Sequence, residues 1–292
     1  MTMPLAPAQP TTAEGLPPLE IRQLRTREEF LACVELQAAT WGADFREVVP
    51  ATLLKITQRI GGVTAGAFAP DGTLLGFVFG MTGVEHGRLV HWSDMLAVRD
   101  GMRNHGIGRR LKEFQRDLLR AAGVTRMYWT YDPLVARNAH FNVNRLGARA
   151  TEYVPDMYGD DTGSSLHRGL GTDRLIVTWP LDARRGEPAP PLPELSLEEA
   201  PLLNPGMAAG RSDEPARGAT DHPAMVRIEI PQDIFRIQSE SAACAVEWRV
   251  STRTAFQWAL AHGYAVERFV LDAPTSRTFY LLARTGVPSS RR

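Results

Sequence analysis

The sequence predicts a mixed α/β fold: a mostly antiparallel sheet flanked by helices, followed by a small C-terminal β-α-β-β unit. Three observations carry this. Short stretches with period-2 alternation recur along the chain, one segment from Ile107 to Ala122 has strong helical periodicity, and a Pro/Gly-rich break follows Pro180. The break, with Pro188, Pro190, Pro191, Pro193, Pro201, Pro205 and Pro215, reads as a linker over 181–223. It separates a long unit, 19–180, from a short one, 224–287. Residues 1–18 read as a Pro-rich disordered tail.

The long unit opens with an alternating strand at Leu19–Leu24. Thr26 then has Glu29 three positions on, the pattern of a capping box, so a helix follows and Gly42 can end it. Pro50 starts a second helix that stops at Gly61-Gly62. Val63–Ala69 and Leu74–Met81 flank Pro70-Asp71-Gly72-Thr73, a hairpin turn, and Arg88–Val98 is a third strand in the meander. In the next helix Ile107, Leu111, Phe114, Leu118 and Ala122 recur at spacings of four, three, four and four. Met127–Tyr131 is β-rich, Arg137–Leu146 is a helix closed by Gly147, and strands near Ala148–Val154 and Arg174–Trp179 bracket a polar loop. In the short unit, Met225–Ile230 is a strand, Val246–His262 a helix, and Tyr264–Leu271 and Thr278–Ala283 are two further strands.

Composition narrows the function. Of 292 residues, 43% are hydrophobic, which excludes wholesale disorder. Lys+Arg 33 balances Asp+Glu 33, so there is no basic field for nucleic acid. No stretch reaches the roughly 18 apolar residues of a membrane helix, and the N-terminus lacks the basic and apolar regions of a signal peptide, so a cytoplasmic address is expected. Cys33 and Cys244 lie in different halves and form no redox or zinc pattern. Asp160-Asp161 and the scattered histidines show no ligand spacing, so no metal is expected.

The chemistry-bearing stretch is Arg103-Asn104-His105-Gly106-Ile107-Gly108. Two glycines at a helix start let backbone N–H groups approach an anion that the helix terminus also favours. Arg103, Arg109 and Arg110 add charge suited to a pyrophosphate. A dinucleotide fingerprint would need a third Gly where Leu111 stands, and a P-loop would need Gly-Lys-Ser/Thr. The stretch resembles the Arg/Gln-x-x-Gly-x-Gly/Ala motif of the GCN5-related N-acetyltransferase (GNAT) superfamily. It follows a strand ending Leu96-Ala97-Val98 at the usual interval, and the resemblance spans 19–180. Ser93–Val98, Thr130–Leu134 and Asn138–Asn142 also resemble a poorly characterised acyltransferase subgroup.

The resemblance implies acetyl-CoA or another acyl-CoA as co-substrate, with direct transfer to the amine of a small molecule such as an amino acid. Leu96, Ala97 and Val98 would run along the pantetheine arm, Arg103, Asn104, His105, Gly106, Ile107, Gly108 and Arg109 would hold the pyrophosphate, and Asn138 would meet the cofactor arm. Where many relatives place a proton-donating tyrosine, four residues before Gly147, this chain has Val143. Tyr131, Tyr128 or water are the substitutes.

Asp94 is the first candidate base, on the same side of its strand as Trp92 and Leu96 by alternation, with Glu85, His86 and His91 as further candidates. Trp92 and Tyr158 are expected against the acceptor. Arg168 and Arg174 would bind a carboxylate on the acceptor or on a succinyl donor. The short unit resembles the second half of an acetyltransferase fold without a phosphate loop. At about 60 residues it needs a surface to dock on, either the first unit or a second copy in a homodimer.

Overall fold

A computed structural model describes residues 18–159, 162–164, 166–167, 169–181, 197, 199–205 and 222–284. Residues 1–17, most of 181–223, Asp160, Asp161 and Arg168 lie outside these.

Seven strands form one sheet: β1 (Glu20–Gln23), β2 (Val63–Phe68), β3 (Leu74–Glu85), β4 (Arg88–Val98), β5 (Arg126–Tyr131), β6 (Arg149–Val154) and β7 (Arg174–Pro180), in the order β1-β2-β3-β4-β5-β7-β6. Every pairing is antiparallel except β4 with β5. Helices α1 (Arg27–Trp41) and α2 (Ala51–Arg59) cover one face. There Phe30, Cys33, Leu36 and Leu54 pack with Phe77, Phe79, Met95 and Ala97. Thr26 and Glu29 form the expected capping box. On the other face α3 (Ile107–Ala121) buries Ile107, Leu111 and Leu119 against Val78, Met127 and Trp129.

The expected helix over Arg137–Leu146 is instead a short α4 (Ala136–Ala139) running into a π-helical stretch, His140–Arg145. That wider turn lets Asn142 accept from the Trp129 indole at 2.7 Å and donate to the carbonyl of Asn138 at 2.8 Å.

The second sheet has the order β8-β10-β9, from β8 (Met225–Ile230), β9 (Tyr264–Asp272) and β10 (Arg277–Arg284). The expected β-α-β-β order gains a helix. An Asp233-capped α5 (Ile234–Glu240) precedes α6 (Ala242–Ala261). Within 181–223, Leu202 bridges Arg227 and Asn204 exchanges hydrogen bonds with the backbone of Glu229, so this part of the segment belongs to the small sheet. No described helix is long and apolar enough to cross a membrane.

The two sheets share one apolar cluster: Tyr131, Tyr153, Leu175 and Val177 pack with Ile228, Phe256, Phe269 and Tyr280. The small unit therefore covers β5, β6 and β7 on the same face as α3. Polar ties fix the register. Arg249 is forked onto Asp132 at 3.0 and 2.6 Å, Arg253 onto Asp173 at 2.8 and 2.6 Å, and Asn144 exchanges two bonds with the backbone of Phe269. Arg249 and Asp132 are 4% and 12% exposed at their side chains. Removing one partner of such a pair leaves the other charge buried, a loss of about 3–5 kcal/mol. Asp132→Ala is expected to destabilise by about that amount, read from urea unfolding.

Burial alone would raise the carboxyl of Asp173, but hydrogen bonds from Arg253 and Tyr153 outweigh it and hold the group below the ordinary range. A depressed carboxyl contributes stability above its unfolded pKa of about 3.9 and loses it as pH falls through the folded value. Stability of the wild type should accordingly drop with acid below that point. Asp173→Asn should flatten this part of the curve, as read by urea midpoints over an acid series.

Candidate functional site

Strands β4 and β5 pair over only three positions, Val90↔Arg126, His91↔Met127 and Trp92↔Tyr128. Beyond Trp92, β4 stays on β3 and β5 stays on β7, so the two strands part and leave a V-shaped gap in the middle of the sheet. At the same level the β3–β4 register slips, from Gly80↔Ser93 to Phe79↔Met95, and Asp94 is the extra residue of a β-bulge. Gly80 accommodates the bulge. A side chain there would strike the ring of His91 and the carbonyl of Trp92.

The bulge corrects the strand-alternation reading. Met95 and Ala97 face α1 and α2, while Leu96 and Val98 lie against Gly108 on the α3 side. Asp94 shares its side with Trp92, which donates a hydrogen bond to it, and not with Leu96. Crowding by the surrounding protein raises its pKa. The Trp92 bond opposes this, and the charge on Glu47 in the α1–α2 loop adds to it. Tyr158 feels both acids. Its hydroxyl is 3.0 Å from that of Thr130, and burial raises its pKa. The α1–α2 and β6–β7 loops meet where Arg46 donates to the carbonyl of Thr162 at 2.9 Å. Asp94, Glu47, Thr130 and Tyr158 are therefore neighbours at the gap.

Next to it, where α1 and α2 do not cover the sheet, lies a groove of about 400 Å³ lined by Met81, Glu85, Val90, Trp92, Tyr128, Glu152 and Ile176 among others. Trp92 and Tyr128 stack at 6.4 Å, and Tyr128 donates to Glu85 at 2.7 Å.

On the gap's other side, Gly106 caps α3 in the left-handed conformation, φ 78°, with open space around its missing side chain and no side-chain cap on the helix. The first-turn N–H groups of α3 have no intrahelical partners. Ile107 is 1% exposed and anchors the turn from beneath. Asn104 is also left-handed, φ 67°. Arg103 is tied to Asp100 at 2.8 Å and Arg109 to Glu113 at 3.0 Å, while His105 is exposed. Phe141 approaches Gly108, which brings the Asn138 turn alongside. Arg137, in the same turn, has its pKa lowered by burial and then by the nearby charge of Arg103. The structure thus gathers the expected anion-site residues at one end of the gap and Asp94, Trp92 and Tyr158 at the other.

Three expected site residues do not fit. Tyr131 points to the α3 side, 5% exposed, enclosed beside Tyr280 where burial pushes its phenol up; it is core, and no proton donor to the cleft. Arg174 is buried, and its guanidinium donates to the Asp173 carbonyl and pairs with the His167 ring over Tyr158. It positions Tyr158 and offers no free fork to a carboxylate. Arg168 lies outside the described residues. His91, 0% exposed, has its pKa pushed down to about 3 by burial and then by Lys112, so it is no base facing the cleft. Sequence reasoning missed Glu47, which has no motif and is placed only by the meeting of two loops, and Lys112, a charge inside an amphipathic pattern.

No family model matches the chain, and no curated protein matches it. Among solved structures, similar folds include an acetyltransferase of the GNAT family from Streptococcus pneumoniae (16% identity, 56% of this chain, 99% of that one, TM-score 0.44). Others are an N-acetyltransferase from Staphylococcus aureus (13%, 56%, 99%, 0.44) and Naa50 of Arabidopsis thaliana in complex with a bisubstrate analogue (14%, 55%, 97%, 0.44). These likenesses are of fold and extend over about half of this chain.

Proposed function

We propose that this chain is an N-acyltransferase that moves an acetyl or related acyl group from acyl-CoA to the amine of a small molecule by direct attack. The observation that carries the reading is the uncapped, Gly106-led N-terminus of α3 standing at the mouth of the β4–β5 gap. A helix start of this kind suits a pyrophosphate, and the parted strands beside it suit an extended arm. The amides from Arg103 to Arg109 hold the pyrophosphate, and the parted edge of β4, through Leu96, Ala97 and Val98, offers backbone groups to the arm. Asn138 flanks it.

The acyl group then lies at the bulge, beside Asp94. An incoming amine enters from the α1/α2 side, where Asp94 and Glu47 favour its cationic form and Trp92, Tyr128 and Ile176 receive an apolar substituent. Asp94 takes the proton that the amine must lose, and its raised pKa brings it closer to an effective base. Because Arg174 is engaged, a cationic amine with an apolar body suits this cleft better than an acceptor that needs a carboxylate clamp.

Calorimetric titration of acetyl-CoA and succinyl-CoA tests the cradle. Wild type should bind, and Gly106→Asp, which sets a carboxylate against the phosphates, should lose binding. Absence of binding by wild type would refute the reading.

The base is tested with acetyl-CoA and a panel of aryl-alkyl primary amines, following thiol release. The rate should rise with pH through a carboxyl pKa above the ordinary value of about 3.9. Asp94→Asn should lower kcat by about 10²–10⁴-fold and remove that limb, while binding of acetyl-CoA persists. Thiol release no faster than in the absence of protein, whichever amine is added, would favour a binding module without chemistry.

A further inference from the structure

Lys112 lies on α3 one turn beyond Gly108, on the side facing the gap, and it is 2% exposed. Its Nζ donates to Oγ of Ser93 at 2.7 Å and sits 4.1 Å from the ring centroid of Trp129. Ser93 and Trp129 are the residues that follow the last β4–β5 pair, Trp92↔Tyr128, so the amino group stands at the apex of the V. Among the described residues no carboxylate pairs with it, and burial alone drives its pKa well down.

The groups around it form a chain with one direction. Nζ donates to Ser93, Ser93 donates to Oε1 of Gln115 at 2.8 Å, and Nε2 of Gln115 therefore donates to Nε2 of His91 at 3.0 Å. Nδ1 of His91 then carries the ring hydrogen toward Thr82 at 2.9 Å, and Thr82 donates to the carbonyl of Gly61 at 2.7 Å. His91 is the titratable neighbour from β4. From β5 the group meets the indole of Trp129, whose N–H is already given to Asn142. Every acceptor in this chain is satisfied. What the cluster lacks is an anion for the one amine that can become charged.

We propose that Lys112 is the proton partner of the coenzyme A sulfur. This rests on the reading of the gap as the acyl-CoA slot. An arm running from the α3 N-terminus down the gap ends at its apex, and the sulfur is the atom on that arm that becomes an anion when its bond to the acyl carbon breaks. The step is a proton exchange that needs no further reactant: the thiol S–H bond breaks with its electron pair left on sulfur, an N–H bond forms at Nζ, and a neutral amine and thiol become an ammonium–thiolate pair. The ammonium stabilises the sulfur as an anion by its charge, a different solution from the proton-donating tyrosine whose place Val143 takes in this chain.

The test uses coenzyme A and desulfo-coenzyme A, which lacks the thiol, with wild type and Lys112→Met. Methionine keeps the length and apolar stem of lysine, and a buried unpaired amine exchanged for it should not weaken the fold. Wild type is expected to bind coenzyme A about tenfold more tightly than the desulfo analogue at neutral pH, which corresponds to a bound thiol titrating about one unit below the pH of the measurement, and to show the ultraviolet absorbance of a thiolate there. Lys112→Met should bind the desulfo analogue as wild type does, lose the preference and lose the thiolate signal. A thiolate signal that survives in Lys112→Met, or is missing from wild type, overturns the proposal. Equal loss of both ligands in the variant also overturns it, assigning Lys112 to holding the gap open. If wild type binds neither ligand, the acyl-CoA reading itself fails and this inference fails with it.

Discussion

Pairing between β4 and β5 lasts three residues and then stops in the middle of a sheet, where unpaired backbone groups are costly. Everything else in the larger unit can be understood as making that break tolerable. The bulge at Asp94 turns β4 away from β5 without tearing it from β3, and Gly80 gives the room. On the far side, β5 is held by β7 over its full length, from Arg126↔Pro180 to Tyr131↔Leu175. The parted edges are thus supported from behind.

A sheet opened in this way has a weak second half, and the C-terminal unit is what stiffens it. Its hydrophobic face closes over Tyr131, Tyr153, Leu175 and Val177, and Tyr280 reaches the carbonyl of Pro133 at 2.9 Å, next to the end of β5. The charged ties run from α6 to three acids on connections of the larger unit, Asp132, Asp156 and Asp173. Such pairs gain little over an apolar contact in energy, but they permit one register only. The same ties hold the Asp173 carboxylate, next in the chain to Arg174, whose guanidinium donates to the Asp173 carbonyl and lies over the ring of Tyr158.

Much of this was legible in the residues. The capping box, the hairpin turn and the two glycines before a periodic helix each have a local cause, and a local cause is visible in a single sequence. What was hidden arose from a break in a period or from a distant segment. Alternation placed Asp94 with Leu96 because period-2 counting assumes an unbroken ladder, and one bulge reverses every residue after it. Tyr131 looked available because nothing in Met127–Tyr131 says which face a unit a hundred residues later will cover. Arg174 looked free for the same reason, its partners being set by the loop that folds back on it.

Lys112 shows a different kind of concealment. The apolar residues of α3 suggested a stripe through Phe114 and Leu118, whereas the fully covered positions are Ile107, Leu111, Lys112, Gln115 and Leu119, a face rotated toward the gap. Lysine and glutamine on a helix ordinarily mark its wet side. Here they mark the side under the break in the sheet, where an apolar stripe would satisfy α3 but leave Ser93 and Nε2 of His91 without partners. A polar seam under the gap is therefore required once β4 carries those residues. Gln115 alone can serve both His91 and Ser93, and Lys112 adds a donor beyond what that seam demands. Among the described residues it is buried without a counter-charge, a cost that folding does not repay.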